Sequence, residues 1–518
     1  MDSLLAAREA LAPILDAVGH AAIITDPAEL HFYGQDVFSL GETPLAVFRP
    51  SDIAALARGV AAASAAGVPV VPRGGGMSYT GGYLPGAAGA LVIDTAGMDS
   101  ILAINADDMT VTVESGCTWA ALHAALSPLG LRTPTWGTLS GVHATVGGGM
   151  SQNGLFWGGS RGSLATSVLS FDVVLADGTI VKTGNDTIRP FGPDVTGLFA
   201  ADCGAFGIKA HITLSLIPEA AALAYGSFAF DNPAGFMQAT SNISRAGLAT
   251  ECFGFDPFLQ SQRMKRDSLG ADAKALVGMM KKQGGFWKGL KEGAKVVAAG
   301  RSFLDEAGFS IHTISEGRNQ ASADADLAAI VAIVQAAGGK QVENTIPKIM
   351  RANPFPPVNS MVGPSGERWV PTHAILRHSR ALQTLTAIVA LYETHRADME
   401  KYDIGAGYLF LTAGTTAFLI EPVFFWPDAM EEMHARSIEP AHYAKLTRFP
   451  ANPQARAVVE RLRAELMVIF GQADAAHFQI GRSYPLKQRS DPAAWGILEA
   501  VKAHVDPDHL MNPGSIGL

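Results

Sequence analysis

Four glycine-rich segments carry the clearest chemical signal in this sequence. They span residues 72–82 (PRGGGMSYTGG), 139–162, 202–214 and 511–518 (MNPGSIGL). The first follows a strand-like run, so its backbone amides can form a nest around an anionic diphosphate. A single Gly-Gly-Gly turn is more often only a turn. The other three segments therefore strengthen the interpretation of the first as part of a ligand-binding site.

Histidines and arginines late in the chain are candidates for acid–base chemistry and for anion binding. Oxidation of an alcohol needs a base for the hydroxyl proton, and neutral imidazole suits that role near pH 7. His373 and His477 are candidates, with a hydrogen-bonded core histidine as the alternative. Arg377 and Arg482 could clamp a carboxylate through two hydrogen bonds, with a surface ion pair as the alternative.

Tyrosines offer a different kind of site. Tyr408, Tyr443 and Tyr484, together with an arginine, could bind and ionise a phenol. The run FLIEPVFFW, residues 418–426, adds aromatic side chains that are compatible with an aromatic substrate, although such a run is more often core.

Composition and missing motifs exclude several classes of protein. The net charge of −9 argues against a general nucleic-acid binder. No G-x-G-x-x-G lies between a strand and a helix and no P-loop motif occurs, which argues against a Rossmann NAD site and a P-loop NTPase. The three cysteines have no paired spacing, and neither a secretory signal nor a membrane-spanning run is evident. These features predict a cytoplasmic protein.

The elements that must position these groups fall into three parts. Strand-like and helix-like segments alternate up to residue 218, including a hairpin at 168–182 closed by an Asp-Gly turn. Residues 219–465 have longer helical patterns and few glycine loops, and 466–518 regain the polar-loop character. We expect a ligand-binding domain at 1–218, a second domain at 219–465, and a C-terminal segment at 466–518 that returns to the first.

The order of the glycine motifs points to a family. P-R-G-G-G-x-S, then T-V-G-G-G-x-x-x-N-G with R-G shortly after, then G-x-x-G-I and a terminal N-P-G resemble FAD-binding oxidoreductases with the p-cresol methylhydroxylase-type (PCMH-type) flavin domain. The superfamily includes vanillyl-alcohol oxidase and the cytochrome-type D-lactate dehydrogenases. The resemblance implies an α+β fold: two α/β subdomains hold FAD, and an α/β cap with an antiparallel sheet covers the flavin.

The resemblance also implies cofactor contacts. The diphosphate would lie on residues 73–78, further residues of the glycine segments would line the cofactor, Gly207 and Ile208 would lie near adenine, and Asn512 would lie near the flavin ring. The residues carried over are Arg73, Gly74, Gly75, Gly76, Met77, Ser78, Pro134, Gly137, Thr138, Gly147, Gly148, Ser151, Gly154, Gly207, Ile208 and Asn512.

Two departures from relatives refine the expectation. Several relatives attach FAD through a histidine in the glycine loop, where this chain has Met77. We therefore expect non-covalent FAD, with His143 or a cap histidine as the alternative attachment point. Relatives acting on D-lactate hold a divalent metal with two histidines and a glutamate, but the glutamate position is Ala476 here. We therefore expect no metal. His373, His378 and Glu421 leave a rescued site open, with a buried glutamate paired with an arginine as the favoured alternative for Glu421.

The resemblance implies a small-molecule oxidation. His477 resembles the flavin-proximal histidine of the D-lactate dehydrogenase segment and is the predicted base. A D-2-hydroxy acid is the first substrate hypothesis, and a 4-alkylphenol or aryl alcohol the second. The electron acceptor would be oxygen, a quinone or a cytochrome. A non-catalytic flavin protein and a homodimer stay open. The stretch 263–301, with ten Lys/Arg against three Asp/Glu, is a solvated helix or a patch for a membrane or redox partner.

Overall fold

The structure is a computed structural model that describes residues 2–264 and 308–518. The basic stretch 263–301 therefore lies almost entirely outside the described residues. The helices are α1 (Asp2–Val18), α2 (Pro27–Tyr33), α3 (Ile53–Ala65), α4 (Trp119–Leu126), α5 (Val146–Gln152), α6 (Val195–Phe199), α7 (Pro233–Ala246), α8 (Pro257–Met264), α9 (Gln320–Ala336), α10 (Thr345–Ala352), α11 (His378–Thr394), α12 (Arg396–Lys401), α13 (Glu432–Ser437), α14 (Pro440–Tyr443), α15 (Pro453–Gln472), α16 (Leu486–Arg489) and α17 (Pro492–Val505).

The strands form a small mixed sheet, two antiparallel sheets of five and eight strands, and a two-stranded ribbon. They are β1 (Ile23–Ile24), β2 (Ala46–Phe48), β3 (Val70–Arg73), β4 (Leu91–Asp94), β5 (Ile101–Asn105), β6 (Thr110–Glu114), β7 (Leu131–Arg132), β8 (Val168–Val174), β9 (Ile180–Lys182), β10 (Ile208–Ser215), β11 (Ile217–Pro218), β12 (Ala222–Phe230), β13 (Glu251–Phe255), β14 (Phe309–Gly317), β15 (Lys340–Gln341), β16 (Arg368–Pro371), β17 (Ala374–Arg377), β18 (Gly405–Ala413) and β19 (Ala417–Trp426).

The first sheet has the order β1-β2-β4-β3, with β2, β3 and β4 parallel. All four residues of β4 are buried, as expected for a central strand covered on both faces. Helix α3 packs on this sheet through Leu56 and Val60. Its N-cap is Asp52, whose carboxylate accepts a hydrogen bond from the Ala55 amide at 2.7 Å.

The second sheet has the order β5-β6-β10-β8-β9 and is antiparallel. The predicted hairpin at 168–182 is present as β8 and β9, with Val174 opposite Ile180. Val174, Ile208 and Ala210 share a hydrophobic core with residues of the first sheet. The two sheets are therefore packed together, and the loops that leave them can face one cleft.

Strands β12 to β19 build the largest sheet, in the order β15-β12-β14-β13-β18-β19-β16, with β17 also paired to β19. Its helices pack on one side, and their apolar residues form a core that includes Phe236, Ile330 and Leu385. Helix α15 belongs to the same core through Leu462, Leu466 and Phe470. The predicted boundary at residue 465 falls inside this helix, and the division into domains stays a prediction.

Buried ion pairs and hydrogen bonds join the largest sheet, which belongs to the predicted cap, to the part of the chain that precedes it. The Arg132 side chain, 1% exposed, pairs with Glu316 on β14, and Arg351 on α10 approaches the same carboxylate at 3.1 Å. The Gly158 amide donates to the Glu251 carboxylate at 3.0 Å. Moving the cap would separate these partners and leave a buried charge without its counterion, which is strongly destabilising. These contacts therefore fix the orientation of the cap.

The C-terminal segment returns to the first sheet. The Val70 amide donates to the Leu510 carbonyl and the Asn512 amide donates to the Val70 carbonyl, both at 2.8 Å. Lys502 is fully buried and holds Asp506 at 2.6 Å. These bonds place residues 510–512 beside the first glycine segment.

Candidate active site

A cleft lies where the glycine segments leave the first and second sheets, and we call it the glycine cleft. Its walls come from residues 72–83, 138–154 and 203–209. The predicted cofactor residues that line it are Arg73, Gly74, Gly75, Gly76, Met77, Ser78, Thr138, Gly147, Gly148, Ser151, Gly154, Gly207 and Ile208. Three separate stretches of the chain therefore converge on one elongated site.

Close contact between the first and second glycine segments explains two of the glycines. A Cβ on Gly75 would lie 1.9 Å from the His143 carbonyl oxygen, and one on Gly74 would lie 2.4 Å from the Thr145 Oγ1. The first and second glycine segments thus touch backbone to backbone, which only glycine permits. This contact brings the amides of both segments to the same cleft.

The cleft also has polar groups suited to a dinucleotide. The Ser115 hydroxyl lines the cleft and is buried without a hydrogen-bond partner among the described residues. Buried polar groups are nearly always paired in native proteins, so this hydroxyl indicates a ligand atom beside it. Together with the glycine backbone, this orphaned donor fits FAD. Sequence reasoning missed Ser115, which lies outside the glycine segments and carries no motif signal.

Arg73 does not offer its charge to the cleft. Its guanidinium donates to the carbonyls of Tyr33 and Gln35 at 3.3 and 3.1 Å. It also lies over the rings of Phe32 and Tyr83, at 4.7 and 5.0 Å from their centroids. Arg73 thus braces the loop with its side chain while the residue still lines the cleft, and its place at the diphosphate stays a prediction.

Three predicted cofactor residues do not line the cleft. The Pro134 carbonyl accepts from Arg132 at 3.1 Å, and Gly137, at φ 121°, packs against Trp119. The fully buried Asn512 donates to the carbonyls of Gly82 and Cys203 at 2.7 and 2.6 Å. Asn512 ties two cleft walls together through these bonds, and a cofactor contact by any of the three residues stays a prediction.

A second cavity, which we call the aromatic cavity, opens from the glycine cleft. The two share Met77, Thr138, Ser140 and Gln479, so the cavity lies at one end of the cleft. It has a volume of about 150 Å³ and lies between the loops of the glycine segments and the largest sheet. Aromatic and aliphatic side chains form most of the wall, including Phe156, Trp369, Leu409, Phe425 and Phe478.

The polar groups of this cavity are few. They are Tyr79, Thr138, Ser140, Ser360, Glu421 and Gln479. Glu421 is the one acid among the described lining residues, and the lining includes no arginine, lysine or histidine. Such a cavity suits a mostly apolar ligand with one or two polar atoms.

Tyr79 and Gln479 form a fixed hydrogen-bonding edge. The Gln479 carbonyl oxygen accepts from the Ser78 hydroxyl at 3.1 Å, and its side chain also hydrogen-bonds the Tyr79 phenol. Burial and the nearby Glu421 raise the pKa of Tyr79 well above its usual value. Tyr79 is therefore a neutral donor. Neither residue was predicted, although Tyr79 directly follows the first motif and Gln479 comes two residues after His477.

Gln479 also has a left-handed backbone conformation, with φ 48°. Its amide donates to the Gln152 carbonyl at 2.7 Å, which holds that conformation. A non-glycine residue in this region stores strain, and such strain is concentrated at functional sites.

Three predicted catalytic residues form a cluster behind the cavity wall. The His373 Nε2–H donates to the Phe478 carbonyl at 2.7 Å, which leaves Nδ1 to accept from the Tyr484 hydroxyl at 3.1 Å. The His477 Nδ1–H donates to the His373 carbonyl at 2.8 Å, and its ring stacks on Tyr484. None of the three lines the aromatic cavity. The structure therefore does not place His477 as a base that touches substrate.

This cluster predicts a loss of stability in mild acid. Burial lowers the pKa of His373 to about 3 and that of His477 to about 4. The unfolded chain titrates near 6.5, so below that pH it binds protons that the folded state excludes. Stability should fall as the pH drops through 6.5, by about 1.4 kcal/mol per histidine per pH unit. Urea unfolding at pH 7.5 and 5.5 measures this fall.

Two variants isolate the contribution of the cluster. His373→Gln should reduce the loss of unfolding free energy between pH 7.5 and 5.5 by the contribution of one histidine. His143→Gln, at an exposed position, should leave that loss unchanged. If His373→Gln lost as much unfolding free energy between pH 7.5 and 5.5 as the wild type, His373 would not be a source of the acid sensitivity.

The two predicted arginine clamps lie elsewhere. The Arg377 side chain is 72% exposed and pairs with Asp474 at 2.8 Å. Arg482 donates to the Pro513 carbonyl at 2.8 Å and to Asn512 at 3.3 Å. Neither lines the aromatic cavity, so the structure corrects both as contacts to a substrate carboxylate.

Within residues 2–264 and 308–518, no group of three or more His, Cys, Asp or Glu side chains is arranged to hold a metal. Over the same residues, no helix combines the length and apolar character needed to cross a bilayer.

Comparison with known proteins identifies the two flavin-side regions. Residues 44–184 match the family model of the FAD binding domain, and residues 454–516 match that of the C-terminal domain of FAD linked oxidases. The glycolate oxidase subunit GlcD of Bacillus subtilis is 31% identical over 194 residues, 36% of this chain and 41% of that protein. A probable mitochondrial D-lactate dehydrogenase of Danio rerio is 32% identical over 219 residues, 38% of this chain and 43% of that protein.

The chain thus matches less than half the length of these curated relatives. A crystal structure of p-cresol methylhydroxylase with substrate bound superposes with a TM-score of 0.73 at 14% identity, over 100% of this chain and 97% of that one. At that identity the likeness shows the fold alone. The predicted α+β fold and the FAD cofactor are confirmed. The chain carries the FAD-binding domain and the C-terminal domain of the FAD-linked oxidoreductases, on the PCMH-type fold.

Proposed function

We propose that this protein is an FAD-dependent oxidoreductase that oxidises a small neutral aromatic substrate, an aryl alcohol or a 4-alkylphenol. The observation that carries the proposal is the aromatic cavity at the end of the glycine cleft. Its wall is apolar and aromatic, with one carboxylate, Glu421, and no cation among the described residues. A neutral ring with one hydroxyl matches that lining.

The same lining weighs against the first substrate hypothesis, a D-2-hydroxy acid. A buried substrate carboxylate needs a cationic or multiply donating partner, because an unpaired buried charge is costly. Arg377 and Arg482 do not supply one. The relatives named for glycolate and D-lactate favour the hydroxy acid, so it remains the second candidate.

The residues of the cavity suggest a division of roles. FAD, when bound, would be held by the residues of the glycine cleft and would supply the hydride acceptor. Tyr79 is a neutral donor and Gln479 fixes its orientation, so the two together position the oxygen of the substrate. Glu421 is the cavity group able to accept the hydroxyl proton as a carboxylate. The apolar wall excludes water from the reacting bond.

Anaerobic titration of the flavin spectrum tests this function. We expect 4-cresol or vanillyl alcohol to bleach the 450 nm band, and D-lactate and D-2-hydroxyglutarate to leave it unchanged. Bleaching by a hydroxy acid alone would contradict the aromatic substrate and support the D-2-hydroxy acid instead. No bleaching by any of the four compounds would contradict both. Re-oxidation of the bleached protein by air, against a quinone or cytochrome c, then distinguishes the acceptors.

The cofactor should be released by acid. No histidine lines the glycine cleft or the aromatic cavity among the described residues, and Met77 occupies the loop position at which several relatives attach FAD. The His143 side chain is exposed, with only its backbone carbonyl against the loop. After trichloroacetic acid precipitation we expect the yellow colour in the supernatant. Colour retained in the pellet would contradict non-covalent binding.

A further inference from the structure

A third cavity lies on the opposite side of the Tyr484 cluster, and we call it the arginine cavity. It is formed between helix α15 and the C-terminal residues 481–488 and 514–517, and its volume is about 610 Å³. It shares no lining residue with the glycine cleft or the aromatic cavity. Nothing in the proposed function uses it.

Arg463 is the unusual residue of this cavity. Its Nε donates to the Thr372 hydroxyl at 3.0 Å, and its guanidinium lies over the Phe38 ring at 4.4 Å. Within the described residues it forms no ion pair, whereas the buried Arg132 and Arg351 each have carboxylate partners. Burial lowers the pKa of Arg463 below its ordinary value. The carboxylates of Asp36 and Glu460 act on it from beyond ion-pair distance. A largely desolvated guanidinium with no direct carboxylate contact gains from a ligand that pairs with it.

The rest of the lining is cationic and rich in donors. Lys487 lies at the rim, half exposed, with Glu499 at 2.9 Å, and Arg482 also contributes to the wall. Ser483, Tyr484 and Gln488 add hydroxyl and amide groups. Glu460 is the one acid among the described lining residues. In a protein of net charge −9, this concentration of positive charge is local and specific.

We propose that the arginine cavity binds a small oxyanion, a carboxylate or a phosphate, with Arg463 as its principal partner and Lys487 at the entrance. The planar guanidinium offers donors in the geometry that both anions accept. The site is separate from the aromatic cavity but shares a wall with it. Tyr484 lines the arginine cavity, and it bonds His373, which stacks on Phe478 of the aromatic cavity.

Calorimetric titration of the FAD-loaded full chain tests the site directly. Sodium phosphate and sodium succinate are the two probes, and sodium chloride at equal ionic strength is the blank. We expect saturable binding of at least one oxyanion with one site per chain. Which probe binds distinguishes phosphate from carboxylate. An absence of saturable binding for both would overturn the proposal.

Variants assign the binding to the cavity. Arg463→Met should weaken the affinity about tenfold or more, and Lys487→Met should weaken it by a smaller factor. Arg461→Met is the matched control, because Arg461 lies on the same helix but is exposed and paired with Asp398. Should Arg463→Met fail to fold, Lys487→Met carries the test. Equal loss in Lys487→Met and Arg461→Met, or no loss in any variant, would overturn the assignment. Because the readout is anion binding, its outcome is independent of which substrate is oxidised.

Discussion

Replacing Gly75 by alanine should cost the protein its FAD. The new methyl group would lie 1.9 Å from the carbonyl oxygen of His143, and that atom belongs to the backbone of the second glycine segment. No side-chain movement relieves the overlap, so the two segments must separate. Overpacking of this kind costs about 1–3 kcal/mol. Since both segments line the glycine cleft, we expect FAD affinity to fall about tenfold or more, about 1.4 kcal/mol.

The flavin-to-protein absorbance ratio after gel filtration and the quenching of FAD fluorescence on titration measure this loss. Gly496→Ala is the matched control. It lies in the interior of α17 with no heavy atom within 4 Å of the new Cβ, and alanine is a better helix former by up to about 1 kcal/mol. We expect it to keep full flavin and to unfold at the same or a slightly higher temperature. Undiminished FAD affinity in Gly75→Ala would show that the amides of this loop do not hold the cofactor.

Much of the glycine cleft was predictable, because its ligand-facing groups are backbone amides. A backbone site needs glycine where two chains touch, as at Gly75, and glycine clusters are visible in a sequence. Side-chain direction is not visible in this way. Arg73 was placed on the diphosphate by its position in the motif, but the rings of Phe32 and Tyr83 hold its guanidinium away. Asn512 lies in the C-terminal segment but ties Gly82 to Cys203.

The aromatic cavity was not predictable for a different reason. Tyr79 comes from the first glycine segment, Trp369 from β16, Glu421 from β19 and Gln479 from the C-terminal segment. These residues meet only through the pairing of β16 and β19 and the return of the chain to the first sheet. Local patterns carry no information on such long-range contacts. His477 was chosen by its motif, but the backbone turn at Gln479 presents a different side chain to the cavity.

Glu421→Gln should abolish most of the activity with little effect on binding. Glutamine keeps the shape and hydrogen-bonding size of the side chain but cannot accept a proton as a carboxylate does. Loss of a general base lowers kcat by about 10²–10⁴-fold, while the apolar wall that contributes most to substrate binding is untouched. We therefore expect kcat to fall by that factor, KM to change little, and flavin content to stay equal to the wild type. Stopped-flow reduction of the bound flavin, by whichever compound bleaches it in the anaerobic titration, measures the step directly.

The control for Glu421 is another glutamate of the cap. Glu393→Gln removes a carboxylate that is exposed on α11 and paired with Arg396, so the reduction rate should match the wild type. Normal flavin reduction in Glu421→Gln would rule out Glu421 as the base.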